Sequence, residues 1–195
     1  MVYIELLNAI EERRSVHNFQ PREIDSAILK EIFYYGSYAP SHYMKEPWNV
    51  KVYQCKGKNR FVENILASYR RLGMIPDDDG PKALRVAESM RSFLLQIPHH
   101  VVIHYEREED AIRNEEEYSA VCAFIQNAQL AAWEYGVGML WTVTPYMHDP
   151  IFLREIGLDA EKDKIVAVMQ VGYPERIPQD KGRTAITEKL QFINN

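Results

Sequence analysis

Six segments of the chain are predicted to be helices, because their apolar residues recur with helical spacing or because residues typical of helix caps lie at their ends. Apolar side chains recur every three residues from Ile4 to Ile10. Asp25 is a suitable N-cap for the second segment, and Pro40 disfavours helical geometry before it, so that helix must end by Ala39. The predicted helices span residues 3–13, the stretch between Asp25 and Ala39, and residues 59–72, 83–95, 118–135 and 150–156.

Four shorter segments are predicted to be strands. Residues 48–54 alternate along the chain with the period of two that is typical of a half-buried strand. Residues 165–171 are apolar almost without interruption, as in an interior strand. The predicted strands span residues 48–54, 101–105, 139–144 and 165–171. Helices that alternate with strands around one sheet predict an α+β or α/β architecture.

The best-defined helix, residues 118–135, is rich in alanine and apolar on almost every side, which predicts that it is buried. Gly136 follows it as a natural C-terminal cap. The charged residues 106–117 before it predict a loop at their start and a solvated surface. The Pro, Asp and Gly residues of 75–81 also predict a loop. We expect the wider segment 74–82 to be mobile and to lie near the mouth of a site.

The length and composition favour a single domain that spans residues 1–195. Composition also argues against several classes of function. General nucleic-acid binding needs a basic face, whereas the formal net charge is −5. No apolar run reaches the roughly 18 residues that span a bilayer, and no basic and apolar leader opens the sequence. Cys55 and Cys122 have neither CxxC nor metal-binding spacing, so we expect reduced thiols in a cytoplasmic protein.

A basic turn lies where the first predicted helix ends. Arg13, Arg14, Ser15 and His17 fall close together there. Arginine offers a rigid fork of donors that matches phosphate oxygens, and serine adds a hydroxyl and a backbone N–H. These residues can therefore surround a phosphate. The alternative is that the basic pair only complements the dipole at the end of a helix.

A second basic pair, Lys181 and Arg183, flanks Gly182 near the C-terminus. In an extended segment, residues two apart point the same way, so both cations would face one ligand. The alternative is a solvated tail. Convergence of the two basic clusters on one phosphate is a sharper hypothesis than either cluster alone.

Histidines provide two weaker candidates. His99, His100 and His104 lie in or next to a predicted strand, but no Cys or carboxylate joins them at useful metal-binding spacing. The prediction is therefore strand packing or surface exposure, and no metal. His148 precedes Asp149, for which a helix N-cap before a proline is favoured over a catalytic pair.

Four segments resemble the motifs of nitroreductase-like flavoproteins, and they follow one another in the order of those motifs. Residues 10–19, IEERRSVHNF, resemble the opening motif RRSxRxF, and residues 39–48, APSHYMKEPW, resemble the second motif APSxxNxQPW. Residues 136–141, GVGMLW, resemble a GxGxxW element that follows a long central helix. Residues 168–174, VMQVGYP, resemble a late strand that ends in GYP. The resemblance covers nearly the whole chain.

The resemblance implies a three-layer α+β sandwich, with a central mixed sheet flanked by helices, in an intertwined homodimer that holds FMN at the subunit interface. It implies NAD(P)H as reductant and nitroaromatic compounds, quinones or similar small molecules as acceptors, with ping-pong kinetics. No side chain need act as an obligatory acid or base, so no catalytic residue is predicted. On the phosphate side, the residues implied to bind FMN are Arg13, Arg14, Ser15, His17, Lys181 and Arg183. The residues implied to line the flavin are Trp141, Thr142 and Val143. The residues implied to reach the flavin from the other subunit are Pro40, Ser41 and His42.

Three positions depart from these motifs. His17 stands where the first motif has a later arginine, and Met44 and Glu46 stand where the second has Asn and Gln. A branch of the family carries a histidine at the position of His42 and lacks that Asn, so we predict His42 as the polar contact to the flavin ring. The alternatives are a member with a dedicated reaction, such as enone reduction or dehalogenation, and a flavin-binding redox module with little turnover.

Overall fold

The computed structural model describes residues 6–76 and 80–194. Predictions for residues 3–5, in the first helix, and 77–79, in the Asp-rich loop, fall outside the described residues. None of the helices in the described part combines the length and the hydrophobicity that crossing a bilayer requires. These helices are α1 (Leu6–Glu12), α2 (Ser26–Gly36), α3 (Cys55–Arg71), α4 (Pro81–Gln96), α5 (Ala111–Glu134) and α6 (Pro150–Glu155).

The structure also contains a four-stranded sheet, against which the helices pack. Its strands, in the order β1-β2-β4-β3, pair antiparallel throughout. Within the described residues, the isolated bridge between Ser15 and Met139 is the one parallel pairing, so the predicted mixed character of the sheet is limited to that bridge. The strands are β1 (Asn49–Tyr53), β2 (His99–Glu106), β3 (Gly138–Thr142) and β4 (Asp163–Gly172).

The sheet buries a separate core on each of its faces. Val101 and Ile103 of β2 pack with α2 and α5, whereas Val102 between them packs with α3, α4 and α6. In β4, Met169 packs with α2 and α5, whereas Val168 packs with α3, α4 and α6. Successive side chains of a strand point to opposite faces, so two apolar layers of helices can cover one sheet. The predicted three-layer α+β sandwich is confirmed.

Local chemistry fixes three helix ends where the sequence predicted them. The Asp25 carboxylate accepts a hydrogen bond from the Ala27 N–H at 2.8 Å at the start of α2. Asp149 accepts from the Ile151 N–H at 2.9 Å at the start of α6. Gly136 follows α5 with a φ of 68°, a left-handed conformation that glycine adopts without strain. All three predicted caps are confirmed.

Two helices begin at least four residues earlier than predicted. α5 begins at Ala111 and not at residue 118, because the Asp110 carboxylate accepts from the Arg113 N–H at 2.9 Å and caps it there. α3 begins at Cys55 and not at residue 59. In both cases, polar and charged residues open the helix before any apolar period begins. The sequence pattern therefore reported only the buried part of each helix.

Candidate functional site

The basic turn, residues 13–17, is fixed against the start of β3. The Val16 N–H donates to the Met139 carbonyl at 3.2 Å, next to the parallel bridge that Ser15 forms with Met139. The Val16 side chain is fully buried. Gly138 permits this approach, because a Cβ there would lie only 2.5 Å from Val16 Cγ2. The basic side chains therefore extend from a backbone that the sheet holds in place.

Arginines from both ends of the chain converge beside the basic turn. Arg14 Nη2 and Arg183 Nη1 lie 3.5 Å and 3.6 Å from the same oxygen, Asp180 Oδ1. Burial, and then the positive charges of Arg183 and Arg14, lower the pKa of Arg13. Like charges lower the pKa of a cation only when they lie near it. Arg13, Arg14 and Arg183 form what we call the arginine cluster.

The arginine cluster offers more charge and more donors than the protein satisfies. Asp180 is the one carboxylate that pairs with it in the part of the chain that the structure describes. Arg13 Nε is buried and has no hydrogen-bond partner among the same residues. Leaving a buried donor unsatisfied costs roughly 1–3 kcal/mol, so such a donor calls for a ligand. Three cations, one shared carboxylate and an unsatisfied donor fit an anion such as a phosphate.

The remaining residues predicted on the phosphate side are less closely associated. Ser15 and Lys181 are exposed. Gly182 has a φ of 73°, so the premise of an extended segment between Lys181 and Arg183 is wrong. Arg183 approaches Arg13 closely enough to lower its pKa. His17 is exposed and lines a small cavity of about 70 Å³ beside the end of α4.

The second candidate region is the 40–46 turn, residues 40–46 between α2 and β1. Tyr43, Met44 and Glu46 have φ values between 50° and 55°. This left-handed conformation costs roughly 1–2 kcal/mol for each residue other than glycine. The Glu46 N–H donates to Ser41 Oγ at 3.1 Å, which helps to hold the turn. A strained backbone persists only where its surroundings fix it.

Lys45 attaches the 40–46 turn to α5. Its Nζ contacts the carboxylates of Glu108 and Glu117, the second at 3.1 Å. The hydrogen bond to Glu108 raises the pKa of Lys45, in opposition to its partial burial. Glu117 is only 6% exposed, so a buried carboxylate depends on this lysine for its countercharge.

His42 is held from two directions. Its Nδ1 lies 2.7 Å from Glu116 Oε2 on α5, and its ring stacks on that of Tyr43 with centroids 4.3 Å apart. Pro40 and Ser41 line, together with His42, a groove of about 570 Å³ between the turn and α5. The structure thus brings together the three residues that were predicted to reach a flavin of the other subunit.

The predicted flavin-lining residues of β3 differ in their surroundings. Trp141 is half-buried and packs against the core shared by the sheet and α5. Thr142 Oγ1 donates to the Val168 carbonyl on β4. Val143 lies beyond the end of β3 and is 67% exposed. Trp141 shares a strand face with Met139, beside which the basic turn runs.

Sequence reasoning missed two residues of these regions. Glu116 lies in a charge run that was interpreted as a solvated surface, and its contact with His42 appears only when α5 is extended back to Ala111. Asp180 directly precedes the second basic pair. A carboxylate next to two cations was a signal that the pair is partly neutralised within the protein.

The histidines of β2 each have a structural partner. His99 Nε2 accepts from the Ile24 N–H at 2.9 Å, and His104 Nδ1 lies 3.1 Å from an Asp163 carboxylate oxygen. His100 and both of these histidines are buried, so strand packing is the confirmed interpretation. No group of three or more His, Cys, Asp or Glu side chains suited to a metal ion occurs in residues 6–76 and 80–194.

Comparison with known proteins agrees with the order of the motifs. The family profile described as Nitroreductase family matches residues 10–173. A protein of Bacillus subtilis (strain 168), provisionally named NAD(P)H nitroreductase YfhC, is 28% identical over 186 residues, which are 95% of this chain and 92% of the relative. The crystal structure of the nitroreductase-like family protein from Bacillus cereus has a TM-score of 0.88 and 32% identity, and covers 100% of this chain and 99% of that one.

A more distant structure shares the fold. The FMN and NADPH-dependent nitroreductase NfnB from Sphigopyxis sp. strain HMH has a TM-score of 0.78 at 19% identity, over 98% of this chain and 100% of that one. The matched profile takes in the basic turn, the 40–46 turn, α5 and the four strands. It covers most of the chain, and the Bacillus cereus structure exceeds 30% identity over the whole length. The chain therefore belongs to the nitroreductase family.

Proposed function

We propose that the protein is an FMN-dependent oxidoreductase that uses NAD(P)H to reduce nitroaromatic compounds, quinones or similar acceptors by a ping-pong mechanism. The observation that carries the proposal is the arginine cluster, with its unsatisfied Arg13 Nε. Family membership and the names of the relatives support the cofactor and the reductant. The proposal includes a single flavin-binding domain over residues 1–195.

The phosphate of FMN would be bound by the arginine cluster. Guanidinium groups match phosphate oxygens in geometry and keep their charge at neutral pH. Arg13 supplies a donor that is already buried and unpaired, so binding an anion there relieves a cost and gains a charge-assisted bond. Ser15 adds a hydroxyl two residues after Arg13. His17 and Lys181 complete the proposed phosphate side from more exposed positions.

The flavin ring would lie between two copies of the chain. Trp141, Thr142 and Val143 would line it from the copy that binds its phosphate. Pro40, Ser41 and His42 would reach it from the other copy. Two features support a second copy: α1 exposes large apolar side chains, and the C-terminal segment exposes others. These exposed residues are Leu6 and Leu7 of α1, and Ile186, Leu190, Phe192 and Ile193.

FMN would supply the redox chemistry, by accepting hydride from a nicotinamide and passing reducing equivalents to an acceptor. The contribution of this chain is binding, orientation and electrostatics. The arginine cluster places positive charge where the anionic cofactor would bind. The 40–46 turn, attached to α5 through Lys45, would shape the opening through which acceptors enter. The free thiols Cys55 and Cys122 are consistent with the proposed cytoplasmic location.

A flavin titration tests the proposal. The purified protein should bind FMN, and the variants Arg13→Ala and Arg183→Ala should each bind it more weakly. Loss of a hydrogen bond to a charged group costs roughly 1.5–3 kcal/mol, so the Kd of Arg13→Ala should rise roughly 10- to 100-fold. The Arg183 side chain is 74% exposed, so the Kd of Arg183→Ala should rise less. Quenching of flavin fluorescence measures the affinity, and oxidation of NADH or NADPH with a quinone or nitroarene measures the activity.

Arg176→Ala is the matched control, because it removes an exposed arginine of the same C-terminal segment. Its FMN affinity should equal that of the unmodified protein. Equal affinity in all three variants would contradict the assignment of the phosphate site. If the unmodified protein binds no FMN at all, the proposed function itself fails.

A further inference from the structure

The pair formed by His42 and Glu116 occupies a distinctive place in the structure. It lies at the junction of two grooves, of about 570 Å³ and 580 Å³, and these two residues line both. The bond between them joins the 40–46 turn to the second turn of α5, with 2.7 Å between Nδ1 and Oε2. Neither the motifs of the sequence nor the proposed binding of FMN gives Glu116 a role.

The contacts of His42 determine the orientation of its ring. Glu116 contacts the edge of the ring at Nδ1, and Tyr43 stacks on its face with an interplanar angle of 14°. An edge contact and a face contact together fix a planar group. On the other side of the ring, Nε2 makes no hydrogen bond to any residue that the structure describes. It is therefore free to interact with a molecule in either groove.

The charges around the pair fix its tautomer. A carboxylate accepts hydrogen bonds only, so the proton of the His42–Glu116 bond resides on Nδ1. Glu117 and Glu108 are paired with Lys45, which leaves Glu116 to His42. The titratable and charged residues that line the two grooves are His42, Tyr43, Lys45, Glu108, Arg113, Glu115, Glu116 and Glu117.

We propose that Glu116 is a positioning residue, which holds His42 as the proton carrier for reduction of the acceptor. This inference depends on the proposed function. A quinone that receives a hydride takes up one further proton to become a hydroquinone, and a nitro group that receives a hydride and a proton gives a nitroso group and water. His42, protonated on both ring nitrogens, gives its Nε2 proton to the acceptor oxygen, is left neutral with its remaining proton on Nδ1, and takes up another proton at Nε2 from water. The Nδ1–H stays hydrogen-bonded to Glu116, which remains a carboxylate throughout.

The test compares Glu116→Ala with Glu115→Ala. Both remove one carboxylate from α5 and from the same groove, and alanine preserves the helix. Among the described residues Glu115 has no ion pair, whereas Glu116 binds His42. Side-chain ¹⁵N NMR of the flavin-free protein, at an alkaline pH where imidazole is neutral, reports the tautomer. The unmodified protein and Glu115→Ala should carry the proton on Nδ1, whereas Glu116→Ala should populate the form protonated on Nε2.

Kinetics of the FMN-loaded proteins test the proton transfer. A quinone needs a proton, whereas ferricyanide takes an electron without one. Glu116→Ala should lower kcat/KM for the quinone roughly 10- to 100-fold, in the lower part of the range for positioned proton transfer. Its rate with ferricyanide and its FMN affinity should equal those of Glu115→Ala.

Each outcome decides between the two proposals. A Glu116→Ala protein that binds FMN and keeps its ratio of quinone to ferricyanide activity overturns the inference and leaves the proposed function standing. An unchanged tautomer overturns the positioning role without any reference to activity. An unmodified protein that neither binds FMN nor oxidises NAD(P)H removes the proposed function, and the proton-carrier role with it.

Discussion

The arginine cluster and the 40–46 turn are both rich in charge, but they leave that charge in opposite states. In the cluster, Arg14 and Arg183 share one carboxylate, and Arg13 has a buried donor without a partner in the described part of the chain. In the turn, the basic groups are paired: Lys45 with two glutamates, and His42 with another. One region has a single shared carboxylate for three cations, and the other supplies a carboxylate for each of its basic groups.

The difference suggests what each region contributes. Unmatched cations near one another destabilise the free protein and are relieved by an anion, so the cluster is suited to affinity for a phosphate. A network whose members satisfy one another gains little from a further charge, but it fixes the position of each member. The 40–46 turn is therefore suited to orientation and selectivity. Its left-handed Tyr43 and Met44 are part of that fixed geometry.

Acid should destabilise the protein, and this limits the pH range in which the two regions can be compared. The loss of stability in acid should be the largest effect predicted here. His100 is a buried residue of β2, and burial lowers its pKa from 6.5 to about 4. Its Nε2–H donates to the Leu94 carbonyl at 2.9 Å. Between these two pKa values the unfolded chain binds a proton that the folded protein excludes. Stability is therefore complete above pH 6.5 and falls as the pH approaches 4, by at most about 3 kcal/mol.

Chemical denaturation at pH 7.5 and pH 4.5 measures this loss. His100→Gln keeps a donor for the Leu94 carbonyl but cannot titrate, so its free energy of unfolding should vary less with pH. His148→Gln, which removes an exposed histidine, should behave as the unmodified protein does. If His100→Gln loses as much stability in acid as the unmodified protein, other groups control acid unfolding.

Removal of one cation from the 40–46 turn and of one from the arginine cluster should have opposite effects on the free energy of unfolding of the flavin-free protein. Lys45→Ala leaves the buried Glu117 without its countercharge, and we expect a loss of about 1–2 kcal/mol, discounted because Lys45 itself is partly exposed. Arg183→Ala removes a positive charge that lies near Arg13, so stability should stay constant or rise slightly. Urea denaturation of both variants gives the two free energies. A similar loss in both would mean that the two regions do not differ in charge balance.

Much of the fold was predictable from the sequence, because its determinants are local. Asp25, Asp149 and Gly136 mark helix ends through contacts with neighbours in sequence, and the period of two in residues 48–54 marked the strand that is now β1. The start of α5 was not predictable in the same way. Its first turns are charged and solvated, so no apolar period revealed them, and Asp110 gave the only local signal.

The candidate site was predictable only in part, because it joins distant segments. The basic turn was evident, but the approach of Arg183 depends on the path of the chain after β4 and on the left-handed Gly182. Glu116 meets His42 because α5 passes beneath the 40–46 turn, a tertiary contact for which spacing gives no sign. The motifs therefore indicated the basic turn of the candidate site better than the polar network of the 40–46 turn.

Asp180 offers the finest test of the comparison, because it is the internal anion that partly neutralises the arginine cluster. If the cluster binds a phosphate, this carboxylate competes with the ligand for Arg14 and Arg183. Asp180→Asn should therefore strengthen FMN binding. The Asp180 side chain is 53% exposed and its contacts are long, so the gain should be below about 1 kcal/mol, or at most roughly fivefold in Kd.

The gain should also shrink as the salt concentration rises, since exposed charges are screened over about 8–10 Å near physiological ionic strength. Flavin titrations at 20 mM and about 300 mM salt separate this screening from a change in structure. Glu188→Gln, which neutralises another exposed carboxylate of the C-terminal segment, should leave the affinity unchanged. Weaker binding by Asp180→Asn would reverse the interpretation. Asp180 would then hold Arg14 and Arg183 in position for the phosphate, and the cluster, like the 40–46 turn, would depend on an internal counterion for its geometry.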